Sequence, residues 1–289
     1  MAYKGHRINP KGFEKSQIKI ILFMLPLVIF MALPIVYIVN HAFKPMEELF
    51  AFPPNFIVKN PTLDNFTALI KASRTAGIPM SRYAFNSLLV TILTIFLSLL
   101  FTTMAAFSLS KIRFRAKFVL MDINQTAIMF VATAVLIPRF LVMTFTGTIN
   151  TYAAHILPLL AMPVALFLVK QFVDQVPDSL LEAAYMDGAN DLQVYFKIVI
   201  PMIKPAIATA AIMVFQQVWG NMETSNYFVN DDGLKTLTFY MNTLANANNT
   251  VAGQGMAAAA ALIMFVPNLV LFILLQNNVM NTMATSGIK

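Results

Sequence analysis

One stretch of this sequence spaces acidic, small and turn-forming residues in a way that suits recognition between chains. It starts at Asp174, passes Pro177 and Asp178, and reaches Glu182-Ala183-Ala184, then Asp187 and Gly188. It continues through Asp191 to Ile198, Val199, Ile200 and Pro201. Pro177 and Asp178 can open a short helix, because an Asp oxygen caps free N–H groups and acids favour helix N-termini. Leu180, Leu181, Ala183, Ala184 and Tyr185 supply helix propensity and an apolar face. Gly188 suits a left-handed C-terminal cap, where a Cβ costs about 1–2 kcal/mol. Asp191 can cap a second helix through Lys197, and Pro201 and Pro205 mark the start of the next element. The result is a small amphipathic knob whose Glu182, Asp187 and Asp191 form an acidic side suited to a basic groove on another protein. The plainer reading of the same signals is a solvated loop with helical content.

The rest of the chain offers little for catalysis. There is no cysteine, which excludes disulfides, thiolate-ligated metals and thiol nucleophiles. No Gly-x-x-x-x-Gly-Lys-Ser/Thr run is present to cradle nucleotide phosphates. His6, His41 and His155 are scattered, and His155 reads as a packed, hydrogen-bonded residue. No catalytic residue and no metal site is assigned. Two groups of amides and aromatics lie in apolar surroundings: Phe215, Gln216, Gln217, Trp219 and Asn221, and farther upstream Asn124 and Gln125. Such groups either join helices or line a path for a polar solute, since amides within hydrocarbon need partners.

These residues are positioned by membrane helices. Of 289 residues, 58% are hydrophobic and 11% charged, against roughly a quarter charged in a soluble domain. A helix needs about 20 mostly apolar residues to cross the hydrocarbon core. Six ranges qualify, about 20–42, 84–109, 118–143, 152–170, 206–221 and 256–276. The expected fold is therefore all-α and polytopic, with a basic tail over 1–19, a transmembrane domain over 20–276 and a C-terminal tail over 277–289. The first apolar run is too long for a signal peptide and no small-residue cleavage site follows it, so it reads as a retained span.

Basic residues then orient the chain. With both termini inside, thirteen Lys and Arg fall on the cytoplasmic side and seven outside, which favours that topology. The 171–204 loop is then cytoplasmic. The net charge of +7 is explained by this placement, and no aromatic-interleaved basic stripe points to nucleic acid. No internal repeat is visible. Asp122 and Arg139 sit towards the ends of the third range, where structural anchoring is the simpler reading and a proton relay has little support.

Glu182-Ala183-Ala184, three residues, Gly188, nine residues, then Ile198-Val199-Ile200-Pro201 resembles the EAA motif of binding-protein-dependent ABC importer permeases. Every spacing matches, with Ile200 in place of the usual Leu. The likeness extends over nearly the whole chain towards maltose-type (MalG-like) carbohydrate permeases, through Thr62-Leu63-Asp64-Asn65-Phe66, Asn86-Ser87-Leu88, Ile137-Pro138, Asn150-Thr151 and Lys170-Gln171-Phe172. One departure bears on detailed contacts: relatives often carry a basic residue just after EAA, where this chain has Tyr185-Met186.

The resemblance implies a type I ABC importer permease fold in a bacterial cytoplasmic membrane. It implies that Glu182, Ala183, Ala184, Asp187, Gly188, Ile198 and Pro201 dock a cytoplasmic ATPase. Two such ATPase subunits would bind ATP and Mg, and this chain would hold no cofactor. A second, homologous permease and an extracytoplasmic solute-binding protein complete the implied partners. The outer loop over about 222–254, with Asn230, Asp231, Asp232 and Gly233 at its tip, resembles the loop that reaches the binding protein. The implied activity is alternating-access import of an oligosaccharide. A polyol or glycerol-phosphate is the alternative cargo, and an ion-coupled secondary transporter the alternative class.

Overall fold

The computed structural model describes residues 17–75, 77–247 and 251–286. The expected basic tail lies almost wholly outside the described residues, as does the end of the C-terminal tail. Helices are the regular elements of the described residues, which contain no strand. Helix α1 covers Gln17–Phe43, followed by a single turn, α2 (Met46–Leu49), and by α3 (Asp64–Thr75). The 32-residue α4 (Met80–Lys111) is next. Then come α5 (Lys117–Met129), α6 (Leu136–Phe145), α7 (Tyr152–Leu160) and α8 (Pro163–Asp174). The short α9 (Asp178–Met186), α10 (Asp191–Val194) and α11 (Ile200–Met202) lead to α12 (Lys204–Trp219). The chain ends with α13 (Glu223–Tyr227), α14 (Leu237–Ala247) and α15 (Val251–Ser286).

Three helices, α1, α4 and α15, are continuous, long and apolar enough to cross a membrane. The other three expected ranges are broken. The range 118–143 is split into α5 and α6, bent by 110°, with Phe130 and Val131 extended between them. Helices α7 and α8 meet at 48°, and the path from α10 and α11 into α12 turns by 81°. Proline accounts for much of this. Pro163 and Pro205 sit in the first turns of α8 and α12, where a missing N–H costs nothing, but neither can extend the preceding helix. The last helix does not stop near residue 276 and runs on to Ser286.

Breaks in a membrane helix free carbonyls that water cannot reach, so they must be bonded from within the protein. Ser98 on α4 donates Oγ to the Leu160 carbonyl at 2.9 Å, and Asn124 on α5 donates Nδ2 to the Pro163 carbonyl at 3.2 Å. The first satisfies the freed end of α7, and the second ties α5 to the first turn of α8. Trp219 likewise donates Nε1 to the Met264 carbonyl at 3.1 Å, beside the turn where Pro267 interrupts the hydrogen bonds of α15.

Helix α4 is the centre of the bundle, packed by α7, α8, α12 and α14. At one end Phe107 joins Val169, Val173, Tyr195, Val199 and Ile203 in a buried cluster. At the other, Tyr83 stacks on Tyr240 with ring centroids 4.3 Å apart, close to Phe215, Trp219 and Ala258 to Ala260. Helix α1, by contrast, has none of its apolar window buried and packs chiefly on α15 and α3. Its surface is one that hydrocarbon or another membrane chain must cover.

The long segment after α1 folds back on the helix end. Asn65 donates Nδ2 to the carbonyls of Ala42 at 3.0 Å and Lys44 at 2.9 Å, and the Phe43 carbonyl accepts Thr62 N–H at 2.8 Å. Lys59 and Asn60 N–H groups bond the Glu48 carboxylate, which holds that carboxyl below its usual range. Asn65 is pressed against Gly255 of α15, where a Cβ would stand 2.5 Å from its Oδ1. The amide cannot swing away without releasing the end of α1. Gly255→Ala is therefore expected to cost about 1–3 kcal/mol of stability, the usual cost of overpacking. Thermal unfolding in detergent measures it, and adding Asn65→Ala should give part of the loss back.

Candidate functional site

At the end of the bundle where α4 and α8 finish and α12 begins, α9 and α10 form a helical knob. Leu181 is buried there, and Ala184 packs between it and the cluster of Val173, Val176, Val194, Tyr195 and Val199. This anchors one side of α9. The other side, Ser179, Glu182, Ala183 and Met186, repeats at helical spacing and faces outward, with Met186 88% exposed. The Glu182 carboxylate has no ion-pair partner among the described residues, which leaves it available to another chain.

Gly188 ends α9 as expected, at φ +82°. Ala189 N–H bonds the Ala184 carbonyl at 2.9 Å and Gly188 N–H bonds Tyr185 at 3.0 Å, the paired closure of a Schellman cap. Two details differ from the sequence reading. Pro177 is the first cap and no side chain bonds there, so Asp178 is the first helical residue. The second helix is capped by Asn190, in a capping box with Gln193, while Asp191 lies inside it. Asp191 instead accepts the Tyr185 hydroxyl at 2.8 Å, tying the two helices together. Burial, that hydrogen bond and the negative charge of Asp191 push the Tyr185 phenol up.

The knob returns to the bundle through a π turn over Tyr195–Val199, in which Ile200 N–H reaches the Tyr195 carbonyl. The wide turn directly precedes Pro201, which has no N–H to give to residue 197. Ile198 is half-buried and Pro201 exposed. Tyr195 itself is buried, with its hydroxyl 2.7 Å from Thr103 Oγ1 and its ring beside Phe107, both on α4.

A second tie to α4 was not foreseen in the sequence. Lys111 ends that helix with an almost fully buried side chain, and its Nζ bonds Asp178 Oδ1 at 2.7 Å and the Val176 carbonyl at 2.6 Å. The hydrogen bond and charge of Lys111 hold the Asp178 carboxyl below its ordinary value. Asp174 is held by Lys170 at 2.8 Å and by the Ser110 hydroxyl at 2.5 Å. Both legs of the knob are thus fastened to the end of α4.

The candidate solute residues divide. Phe215 and Trp219 are buried and stacked, ring centroids 5.7 Å apart, and belong to the packing of α12 on α15. Asn124 is consumed by the carbonyl of Pro163. Gln125 is exposed on α5, alongside Asp122 and Thr126. Gln216, Gln217 and Asn221 do come together, in an open cleft of about 480 Å³ shared with Thr133, Asn226 and Tyr227. Asn221 Oδ1 caps the next turn by accepting Thr224 N–H at 3.0 Å, so its amide N–H group is what it can offer the cleft. Glu223 also lines the cleft, and Arg139 on α6 neutralises it at 2.5 Å. Arg139 is an anchor, and its partner was missed.

The segment carrying Asn230, Asp231, Asp232 and Gly233 sits at the opposite end from the knob. Asn150 Oδ1 accepts the N–H groups of Asn230 at 3.0 Å and Asp231 at 2.8 Å. Asn86 donates Nδ2 to the carbonyls of Gly233 at 2.8 Å and Lys235 at 2.9 Å, and Ser87 Oγ accepts Leu237 N–H at 2.7 Å. Buried His155 bridges Thr224 at 2.8 Å and the Leu234 carbonyl at 3.0 Å. The acidic tip is thus exposed but held at its base from several sides.

Comparison with known proteins agrees with this architecture. A family model described as "Binding-protein-dependent transport system inner membrane component" matches residues 18–279. The galactooligosaccharides transport system permease protein GanQ of Bacillus subtilis is 28% identical over 277 residues, 93% of this chain and 95% of that protein. The arabinooligosaccharides transport system permease protein AraQ of Halalkalibacterium halodurans is 27% identical over 264 residues, 89% of this chain and 90% of the other. A crystal structure of a bacterial ABC transporter involved in the import of the acidic polysaccharide alginate contains a chain with the same fold. Its TM-score is 0.79 at 21% identity, covering 93% of this chain and 99% of that one.

Asn150 adopts φ +61°, a conformation that Asn tolerates, and its side chain meets the segment that begins at Asn230. Asn150→Ala removes two acceptor bonds and adds left-handed strain, together about 2–3 kcal/mol. Hydrogen exchange over residues 229–234 should accelerate at least tenfold, and Asn150→Gly, which avoids the strain, should accelerate it less.

Proposed function

The chain belongs to the binding-protein-dependent transport system inner membrane component family, and from that premise we propose that it is the permease subunit through which an ATP-driven importer passes an oligosaccharide. It is a multi-pass protein of the bacterial inner membrane with the fold of an ABC importer permease. The observation that carries the mechanism is the knob. A Schellman-capped helix presents Glu182, which has no ion-pair partner among the described residues, beside Ala183 and highly exposed Met186, on a base fastened to α4.

In this reading the knob is cytoplasmic, as the distribution of Lys and Arg suggests, and both termini share that side. It inserts into a groove of one of two ATPase subunits, which bind ATP and Mg. Glu182 pairs there with a basic residue, and Gly188, Asp187, Ile198 and Pro201 hold the shape that carries it. Closure of the ATPases moves the knob and switches the membrane helices between outward-facing and inward-facing states.

A second, homologous permease covers the exposed apolar surface of α1 and the polar stripe of Asp122, Gln125 and Thr126 on α5. Hydrocarbon alone is a poor solvent for that stripe. An extracytoplasmic binding protein meets the segment around Asn230 to Gly233 and delivers the cargo. The cleft of Gln216, Gln217, Asn221, Asn226 and Tyr227 offers amide and phenol groups of the kind that bond sugar hydroxyls. Its one carboxylate is already neutralised by Arg139. The oligosaccharides named for GanQ and AraQ support an oligosaccharide over glycerol-phosphate.

Truncating one member of an interfacial charge pair costs about 2–5 kcal/mol. Glu182→Ala is accordingly expected to lower recovery of the ATPase subunits with the membrane complex and to reduce ATP-dependent uptake, with insertion intact. Unchanged recovery and uptake would reject the docking role. Competition for uptake into proteoliposomes by galacto- and arabinooligosaccharides, but not by glycerol-phosphate, is the expected result for cargo.

A further inference from the structure

We infer that α4 is a strut that couples the ATPase-docking knob to the outer segment, with Lys111 and Asn86 as its two positioning residues. The inference rests on the knob being the docking element, and goes beyond it by naming the route through the membrane. At the knob end, Lys111 bonds Asp178 and the Val176 carbonyl, which fixes the leg that enters α9. Phe107 and Thr103, about one and two turns earlier, hold Tyr195 in the leg that leaves α10. At the far end, Asn86 grips the carbonyls of Gly233 and Lys235, Ser87 takes Leu237 N–H, and Arg82 Nε donates to Gly233 at 3.2 Å. Tyr152 holds the Asn86 amide in place through Oδ1 at 2.7 Å.

Between the two grips α4 is one uninterrupted helix without glycine or proline. At about 1.5 Å per residue, about 37 Å of helix separate Asn86 from Lys111. Of the other passages, α7 bends into α8, α5 into α6, and the chain turns sharply where α12 begins, while the continuous α1 and α15 carry prolines, Pro26 and Pro34 in the first and Pro267 in the second. A displacement of the knob that rotates or bends those segments can be absorbed at their breaks. Along α4 it must appear at the outer segment, because no turn of the helix has a cheap way to yield. The buried Lys111 ammonium is the joint where this rod meets the knob. Its loss would leave Asp178 facing water and the Val176 carbonyl without its partner, so α9 could move while α4 stays still.

The test uses the whole complex, with both permeases and the ATPase subunits, reconstituted in nanodiscs. The readout is the ratio of ATP hydrolysis with loaded binding protein to hydrolysis without it, which a merely structural contact does not set. Lys111→Met and Asn86→Ala are each expected to lower this ratio about 2- to 30-fold, the range a single residue of a coupling network carries. The two residues act on one rod, so the double variant should lose little more than the worse single variant. Lys111→Arg, which keeps the charge and two donors, should retain most of the ratio. Asp178→Asn, at an exposed position, is the second probe of the same joint should Lys111→Met fail to assemble.

Assembled complexes in which these variants keep the wild-type ratio would overturn the strut and leave the docking role standing. Additive losses in the double variant would overturn it as well, by placing the two residues on separate routes. A wild-type complex that recovers no ATPase subunit would overturn the docking role, and the strut with it.

Discussion

A peptide carbonyl released inside a bilayer has no water to bond, and the fold depends on how this chain meets that constraint. Three of its membrane passages are broken, so several carbonyls leave their helical partners. Ser98 takes up the carbonyl at the broken end of α7, and Asn124 and Trp219 bond carbonyls in the first turn of α8 and beside Pro267 of α15, each from a neighbouring helix. Satisfying the backbone and packing the bundle are therefore one operation. It also explains why polar residues on the membrane helices are poor guides to solute contact. An amide that closes a break is unavailable to a sugar, and only those beyond the breaks, such as Gln216 and Gln217, remain free to line a cleft.

The six passages and the knob were legible in the sequence because their signals are local. Twenty apolar residues suffice to mark a span, and Gly188 marks the end of α9 through its own conformational freedom. The breaks were less legible. Pro163 and Pro205 announce two of them, but the turn at Phe130 and Val131 contains neither glycine nor proline. The cap of the second knob helix was misassigned although its signal is present. Asn190 stands three residues before Gln193, and that spacing allows a reciprocal cap which Asp191 cannot form.

What could not be read was long-range pairing. Lys111 meets Asp178 across 67 positions and Arg139 meets Glu223 across 84. In the sequence each cation is only a helix-end charge, which the membrane interface explains adequately. The resemblance motifs around Asn65, Asn86 and Asn150 were in the same situation. Their spacing carried a family likeness, but their physical role is to bind main-chain groups of distant segments: the end of α1 for Asn65, residues 230–235 for the other two.

The rigidity of both outer surfaces follows from this pairing and bears on how binding to them would work. A flexible knob would lose conformational entropy on entering a groove, about 0.5–1.5 kcal/mol for each immobilised side chain, before any contact contributed. Here the Schellman cap, the Tyr185–Asp191 bond and the Lys111 joint have already fixed the backbone, leaving mainly Glu182 and Met186 to order. The same holds at the opposite end, where Asn86, Asn150 and His155 hold the base of the acidic tip. Two preorganised surfaces joined by an unbroken helix can exchange displacement without first absorbing it in loops. The broken passages beside that helix are then free to supply the change of shape that a transport path requires.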